Sequence, residues 1–311
     1  MNARVKFRGV MIGSALGDAL GELAFRYRNK NRLLAAVAER DMLTYTDDTA
    51  MAIALAESLA TVGDIDEERL GDKFREHFTR EPWRGYGPGP PAIFKHVAAS
   101  GSSYAQAARV LYGGQGSLGN GAAMRIGPLA LHFFDCPELY DKAEKSARVT
   151  HAHAVGIDGA AVQARAIALA LTSKSGETLN AQSFVQDLIA FARTSLIRTK
   201  LEKVLSLIKA DTTPADAAAD LGLSVAVHES MPFSLYCFLR CPRHFEDCLL
   251  CAILNGGDRD TMGAMAGAIS GAYLGAQAIP ATWLSKLENR RHIEALAQKI
   301  FELRFNNLGK Q

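Results

Sequence analysis

The chain has almost no charge of one sign to spare: 35 Lys and Arg face 33 Asp and Glu, leaving a formal +2. That balance speaks against direct nucleic-acid binding and against an electrostatic membrane patch. No apolar stretch reaches membrane-spanning length without a charge. The opening segment MNARVKFRGVMIGSALGDALGELAF begins basic and turns apolar, but Asp18 and Glu22 interrupt it and no small-residue cleavage site follows. It reads as the first helix of a cytoplasmic protein. Cysteine is scarce and odd in number, five in 311 residues, which excludes a disulfide framework. Four of them, Cys237, Cys241, Cys248 and Cys251, cluster in the sequence. Their surroundings, SLYCFLRC and CLLCAIL, are greasy helical text, so small buried apolar residues are favoured over a zinc site.

Period-two alternation is scarce, and so are low-complexity linkers and charge blocks. What remains is helical spacing. AMAIALAESLATV after Asp48, DGAAVQARAIALALT after Ile157 and HIEALAQKIFELRF near the end all show it. Breakers gather at WRGYGPGPP (83–91), YGGQGSLGNG (112–121) and NGGDRD (255–260), which read as loops between helices. Residues 173–182 and 209–222 read as surface turns. Nothing marks a domain boundary, so the expectation is a single all-α domain over 1–311.

Two segments share a layout. TDDTAMAIALAESLA (46–60) and DRDTMGAMAGAISGA (258–272) each place two acids and a Thr before a small-residue apolar helix. One Asp or Thr suffices as an N-cap, and acids suit the positive end of a helix dipole. A second carboxylate so close adds repulsion unless a cation neutralises it. Asp47 with Asp48, and Asp258 with Asp260, therefore each suggest half of a hard-metal site, with Thr46 and Thr261 as further oxygen donors. No His or Cys lies among these acids, which argues against zinc. Two such mouths facing one another would make a two-metal centre. After Asp260, glycines recur every four residues at Gly263, Gly267, Gly271 and Gly275, one bare face that invites a close helix neighbour. The stretch from Gly13 to Gly21 carries the same small-residue pattern.

Between these mouths, GQGSLGNGAAMRIGPLAL (114–131) is Gly-rich and then helical, able to nest an anion, but without the Lys of a P-loop. RVTHAHAVG holds His151 and His153. Glu229 reads as a helix cap.

Taken together, TDDTAMA, GYGPG, GSLGNGAAMR, TH and GGDRDTMGAMAGAISGAYLG stand in an order that resembles the ADP-ribosylglycohydrolases over nearly the whole chain. ESMPFSLYCFLRC and REPWRGYGPG resemble the branch acting on ADP-ribosylserine and poly(ADP-ribose). The resemblance implies an orthogonal helical bundle with a central cleft and two Mg²⁺ ions. It implies that Thr46, Asp47 and Asp48 hold one metal, and that Asp258, Asp260 and Thr261 hold the other or bridge both. It implies that the loop Gly116, Ser117, Leu118, Gly119, Asn120 and Gly121 cradles diphosphate and ribose. Tyr112 would lie near the adenine, His151 on the far side, and Gly85, Gly87 and Gly89 along the cleft wall. Asp258 and Asp260 are the expected catalytic acids.

The chain departs from that pattern at three positions. A flap Glu expected after GDALG falls on Phe25, leaving Glu22 as the replacement if the loop is rebuilt. Arg259 stands between two metal-type acids, and Leu118 stands where an aromatic is common. The function implied is Mg²⁺-dependent hydrolysis of the O-glycosidic bond joining ADP-ribose to protein serine or to the next unit of the polymer. Alternatives are an ADP-ribosylarginine hydrolase and a non-catalytic ADP-ribose binder lacking the flap Glu. A structural protein borrowing the fold is disfavoured by the six retained metal-type residues. The partners implied are ADP-ribose and ADP-ribosylated proteins, with the chain acting as a monomer.

Overall fold

A computed structural model describes residues 2–173 and 179–308, and those residues are all-α. In chain order the helices are α1 (Ala3–Arg26), α2 (Lys30–Glu39), α3 (Asp47–Val62), α4 (Glu67–Arg80), α5 (Gly89–Ser100) and α6 (Tyr104–Gly114). The short α7 (Gly121–Met124) and α8 (Gly127–Phe133) lead to α9 (Leu139–Arg148) and α10 (Ala154–Thr172). Next come α11 (Ala181–Phe191), α12 (Ser195–Lys209), α13 (Pro214–Leu221) and α14 (Val227–Arg240). The chain ends with α15 (Phe245–Leu254), α16 (Arg259–Leu274), α17 (Ala281–Lys286) and α18 (Arg290–Leu308). Among the described residues β-structure is limited to two isolated bridges, Leu43 with Leu287 and Gly119 with Ala226.

The three periodic segments lie within α3, α10 and α18. α10 is long and apolar enough to cross a membrane, yet most of it is buried inside the protein. One expected turn is corrected: within 209–222, Pro214–Leu221 is a helix. Its Thr, Pro and Gly are the punctuation of that helix. Thr213 caps the start by accepting from Asp216 N at 3.2 Å, Pro214 begins the first turn, and Gly222 ends it. Of the other expected turn, residues 174–178 lie outside the described residues.

The centre of the fold is an antiparallel backbone contact between α1 and α16. A Cβ added at Gly9, Gly13 or Gly17 would fall inside contact distance of the carbonyl oxygens of Gly271, Gly267 and Gly263, and the reverse holds for each partner. Glycine costs a helix interior about 1 kcal/mol relative to Ala, so six glycines here are tolerated only because two helices share the space their side chains would fill. The match extends one turn further than the stripe read on α16. Gly21 packs on the Arg259 carbonyl and the Asp260 Cα, so the last tooth of the zipper is a candidate metal acid. The stripe also loses a member: Gly275 is not in it but caps α16, with φ 76°. Gly9, ahead of the predicted run, takes part instead. The four clustered cysteines lie on or just after α14 and on α15, beside this pair of helices, with Cys237 and Cys248 fully buried.

A polar clamp ties α3, α4 and α18 together. Glu57 accepts from His77 Nε2 and from His292 Nε2, each at 3.0 Å. Arg80 donates to His77 Nδ1 at 3.2 Å, so that nitrogen is the acceptor and Nε2 carries the proton. The hydrogen bond from His77 holds the Glu57 carboxyl down at about 2.

Two outcomes follow from this packing. Gly17→Ala forces two backbones apart and lowers stability by about 3 kcal/mol, whereas Gly87→Ala, with nothing around its Cβ, leaves urea midpoints unchanged. A depressed carboxyl contributes stability that is complete above its unfolded value and is lost as pH falls through the folded one. The stability gap between wild type and Glu57→Gln therefore narrows from pH 5 toward pH 2. A gap constant over that range in chemical melts would refute the clamp.

Candidate functional site

Thr46 takes extended backbone angles and begins α3 as its N-cap. What fixes it is an acid outside both paired sets. Asp18, fully buried in the middle of α1, accepts from Thr46 N through both oxygens at 3.0 Å and from the Thr46 hydroxyl at 2.9 Å. It also accepts from Thr49 N at 3.0 Å and the Thr49 hydroxyl at 2.5 Å. A carboxylate inside so small and apolar a run, GDALG, was the signal that would have found it. Arg84 secures the other side. It donates to Tyr45 O at 2.9 Å, makes a two-pronged ion pair with Glu288 at 2.8 Å, and passes its own carbonyl to Asp47 N at 2.8 Å.

The second mouth opens at Asp258, the N-cap of α16, after Gly256 and Gly257 turn the chain with φ of 107° and 62°. Asn120 reaches across and donates to Asp258 Oδ2 at 2.5 Å. The two mouths touch: the Thr261 hydroxyl donates to Asp48 Oδ2 at 3.3 Å. Arg259 does not compete for this space. Its guanidinium is turned away and donates to the Ile253 carbonyl near the end of α15, where helix carbonyls lack intrahelical donors.

The acids raise one another. Burial first, then the charge of Asp18, pushes Asp47 up to about 7. Burial, then Asp258, pushes Asp260 to about 8. Asp48 rises well above the usual range through burial and the charges of Asp18 and Asp260. Burial alone raises Asp18, to about 6, against the pull of its four donors. Asp48 Oδ1 is buried with no hydrogen-bond partner among the described residues. An all-oxygen donor set, an orphaned carboxylate oxygen and repulsion among neighbours fit a hard divalent cation. Among the described residues no three acidic, His or Cys groups close around one point by themselves.

Above the acids lies a cleft of about 230 Å³. It is lined by Asp47, Asp48, Asp258, Asp260 and Thr261, by Gly85, Gly87 and Gly89, and by Tyr112, Ser117, Gly119, Asn120, Gly121 and His151. Four expected residues do not line it. Thr46 is buried beneath, bound to Asp18. Gly116 is packed against the Ala152–His153 backbone. Leu118 packs on the core, its carbonyl accepting from Val227 N. Glu22 is exposed on α1, because α1 stays helical through Arg26 and builds no loop that would carry an acid inward. Phe25, 41% exposed, is also outside the lining. Arg125, Thr150, Met124 and Val225 line the cleft without having been singled out from the sequence. Tyr112 is held at φ 52°, a left-handed conformation rare for a bulky residue, with its ring exposed at the rim. Of the remaining candidates, His153 caps α10 by accepting from Val155 N at 3.1 Å, and Glu229 accepts from Ser224 N at 3.1 Å.

Comparisons with known proteins give this site its context. The pattern that defines the ADP-ribosylglycohydrolases matches residues 1–308. ADP-ribosylhydrolase ARH3 of Bos taurus is 32% identical over 336 residues, covering 95% of this chain and 92% of that protein. ARH3 of Homo sapiens is 32% identical over 335 residues with the same coverage. A solved structure described as an ADP-ribosylglycohydrolase-related protein complex superposes with a TM-score of 0.73 at 25% identity, over 97% of this chain and 99% of that one. The chain belongs to the ADP-ribosylglycohydrolase family and is a glycosidic-bond hydrolase.

If the carboxylates are crowded for a cation, removing one must relieve the metal-free protein. In chelator at pH 8, Asp48→Asn raises Tm by about 2 °C. An unchanged or lower Tm for this near-isosteric variant would show that Asp48 is not under repulsion.

Proposed function

We propose that the enzyme cleaves the O-glycosidic bond at the anomeric carbon of ADP-ribose carried on protein serine or within poly(ADP-ribose), releasing ADP-ribose with the help of two Mg²⁺ ions. The observation that carries this reading is the meeting of two acidic helix mouths, Thr46–Asp47–Asp48 and Asp258–Asp260–Thr261, through the Thr261 to Asp48 hydrogen bond under one cleft. The ARH3 relatives support an ADP-ribosyl hydrolase in general, and the resemblance of ESMPFSLYCFLRC and REPWRGYGPG to the serine- and polymer-directed branch favours those linkages.

Cleavage of such a bond passes through an oxocarbenium-like transition state and needs a water held against the anomeric carbon. Bound at these mouths, Mg²⁺ supplies positive charge that orients the distal ribose and activates that water. Asp47, Asp48, Asp258, Asp260 and the Thr261 hydroxyl would hold the ions, with Thr46, tied to Asp18 beneath the cleft, offering its remaining oxygen lone pairs from below. Asp258 is aimed by Asn120, and Asp260 sits at the first turn of a helix that cannot shift against α1. Either can take the proton of the attacking water and pass it to the leaving oxygen as the glycosidic bond breaks. The loop 116–121 and Tyr112 receive the diphosphate and adenosine, with Gly85 close to the Asp47 carboxylate on the opposite wall. We place the protein in the cytoplasm as a monomer, a setting that suits its five free cysteines.

The test is release of ADP-ribose from a serine-modified peptide. Release occurs with Mg²⁺ and falls by at least about 10²-fold in chelator or in Asp260→Ala. Faster turnover of an arginine-linked peptide would move the enzyme to the N-glycosidic linkage. ADP-ribose binding with no turnover of either would make it a binder.

A further inference from the structure

Arg125 is a fully buried cation directly under the cleft. It follows α7, and its guanidinium stacks over the Phe74 ring at 4.5 Å. It donates to the Gly121 carbonyl at 2.8 Å, to the Ser146 carbonyl at 3.3 Å and to the Thr150 hydroxyl at 2.7 Å. A guanidinium only donates, so Thr150 Oγ1 is an acceptor there. The Thr150 proton must then go elsewhere. Among the described residues its one other partner is His151 Nδ1, at 2.7 Å. That nitrogen accepts and is bare.

We propose that Arg125 and Thr150 lock His151 as a neutral imidazole with its proton on Nε2, so that the cleft offers its ligand a fixed, uncharged hydrogen-bond donor at that point. The ring is placed to do so. His151 lines the cleft beside Gly119 and Gly121, and a Cβ on those glycines would lie 3.5 and 3.2 Å from Nε2. Their bareness keeps the nitrogen open to the cleft, and it bonds to no group among the described residues. Burial, followed by the adjacent Arg125 charge, lowers the His151 value to about 3, so the ring stays uncharged across the physiological range.

The chemistry of the ligand follows. The atom opposite Nε2 must be an acceptor, a phosphate or sugar oxygen of ADP-ribose, and a donor group such as an amine is refused there. This half rests on the proposed function; the tautomer does not. In this proposal Arg125 and Thr150 are positioning residues, acting through His151.

The direct test is ¹⁵N NMR of the histidine rings in the full-length free protein, with the His151 signals assigned by their loss in His151→Asn. The expected spectrum shows Nδ1 unprotonated and Nε2 protonated from pH 5.5 to 8. A proton on Nδ1, or a doubly protonated ring in that range, overturns the proposal whatever the protein binds. Calorimetry with ADP-ribose then tests the positioning role. Thr150→Val lowers affinity about five- to tenfold and mixes the tautomers, while Thr150→Ser preserves both. Wild-type affinity in Thr150→Val would overturn the role of Thr150. Failure of wild type to bind ADP-ribose at all would overturn the proposed function and the ligand half, with the tautomer still decided by the spectrum.

Discussion

Everything at the site hangs on the backbone contact of α1 with α16. Six glycines, three on each helix, bring two main chains together where side chains would normally stand. The contact is rigid because neither helix has side chains to re-pack; any shift puts carbonyl against carbonyl. Its far end is Gly21 against Asp260, so the stiffness of the core is delivered at the acids. The same helix carries Asp18, which holds the start of α3. One helix thus sets both halves of the site, the first through hydrogen bonds to a carboxylate and the second through bare packing.

The energetic cost of the site is concentrated in the acids. Acidic neighbours raise Asp47, Asp48 and Asp260, burial raises Asp18, and one oxygen of Asp48 has no hydrogen-bond partner among the described residues. A fold selected for stability alone would replace such a cluster with apolar residues. The nearby cations are kept at a remove. Arg84 is paired with Glu81 and Glu288, Arg259 is turned to a helix end, and Arg125 donates to Gly121, Ser146 and Thr150. The negative charge is therefore left for a ligand to neutralise. Around it the cleft wall is glycine wherever backbone or imidazole must come close.

Much of this was legible in the residues. Paired acids before thin helices gave the two mouths, and the four-residue glycine period gave the close helix neighbour. The places where the fold departs from local sequence pattern have physical causes. Thr, Pro and Gly in 209–222 look like a turn but are the two ends of a helix. A role for Glu22 needs a loop, and α1 continues past that position to Arg26 because residues 22–26 hold no Gly or Pro to break it. Leu118 sits in a loop of cleft residues, yet its neighbours Ser117 and Gly119 face the cleft while it faces the core.

By itself, the sequence determined the helical class, the family and the acidic character of the two helix mouths. These depend on local spacing and on residue types that few other chemistries require. The tertiary structure alone decided which residues serve those acids from a distance. Asp18 lies 28 residues from Thr46, Asn120 lies 138 from Asp258, and Arg125 lies 25 from Thr150. Such pairings leave no periodic trace, since a buried polar group is recognised by the partner that satisfies it, and the partner is chosen by how helices pack.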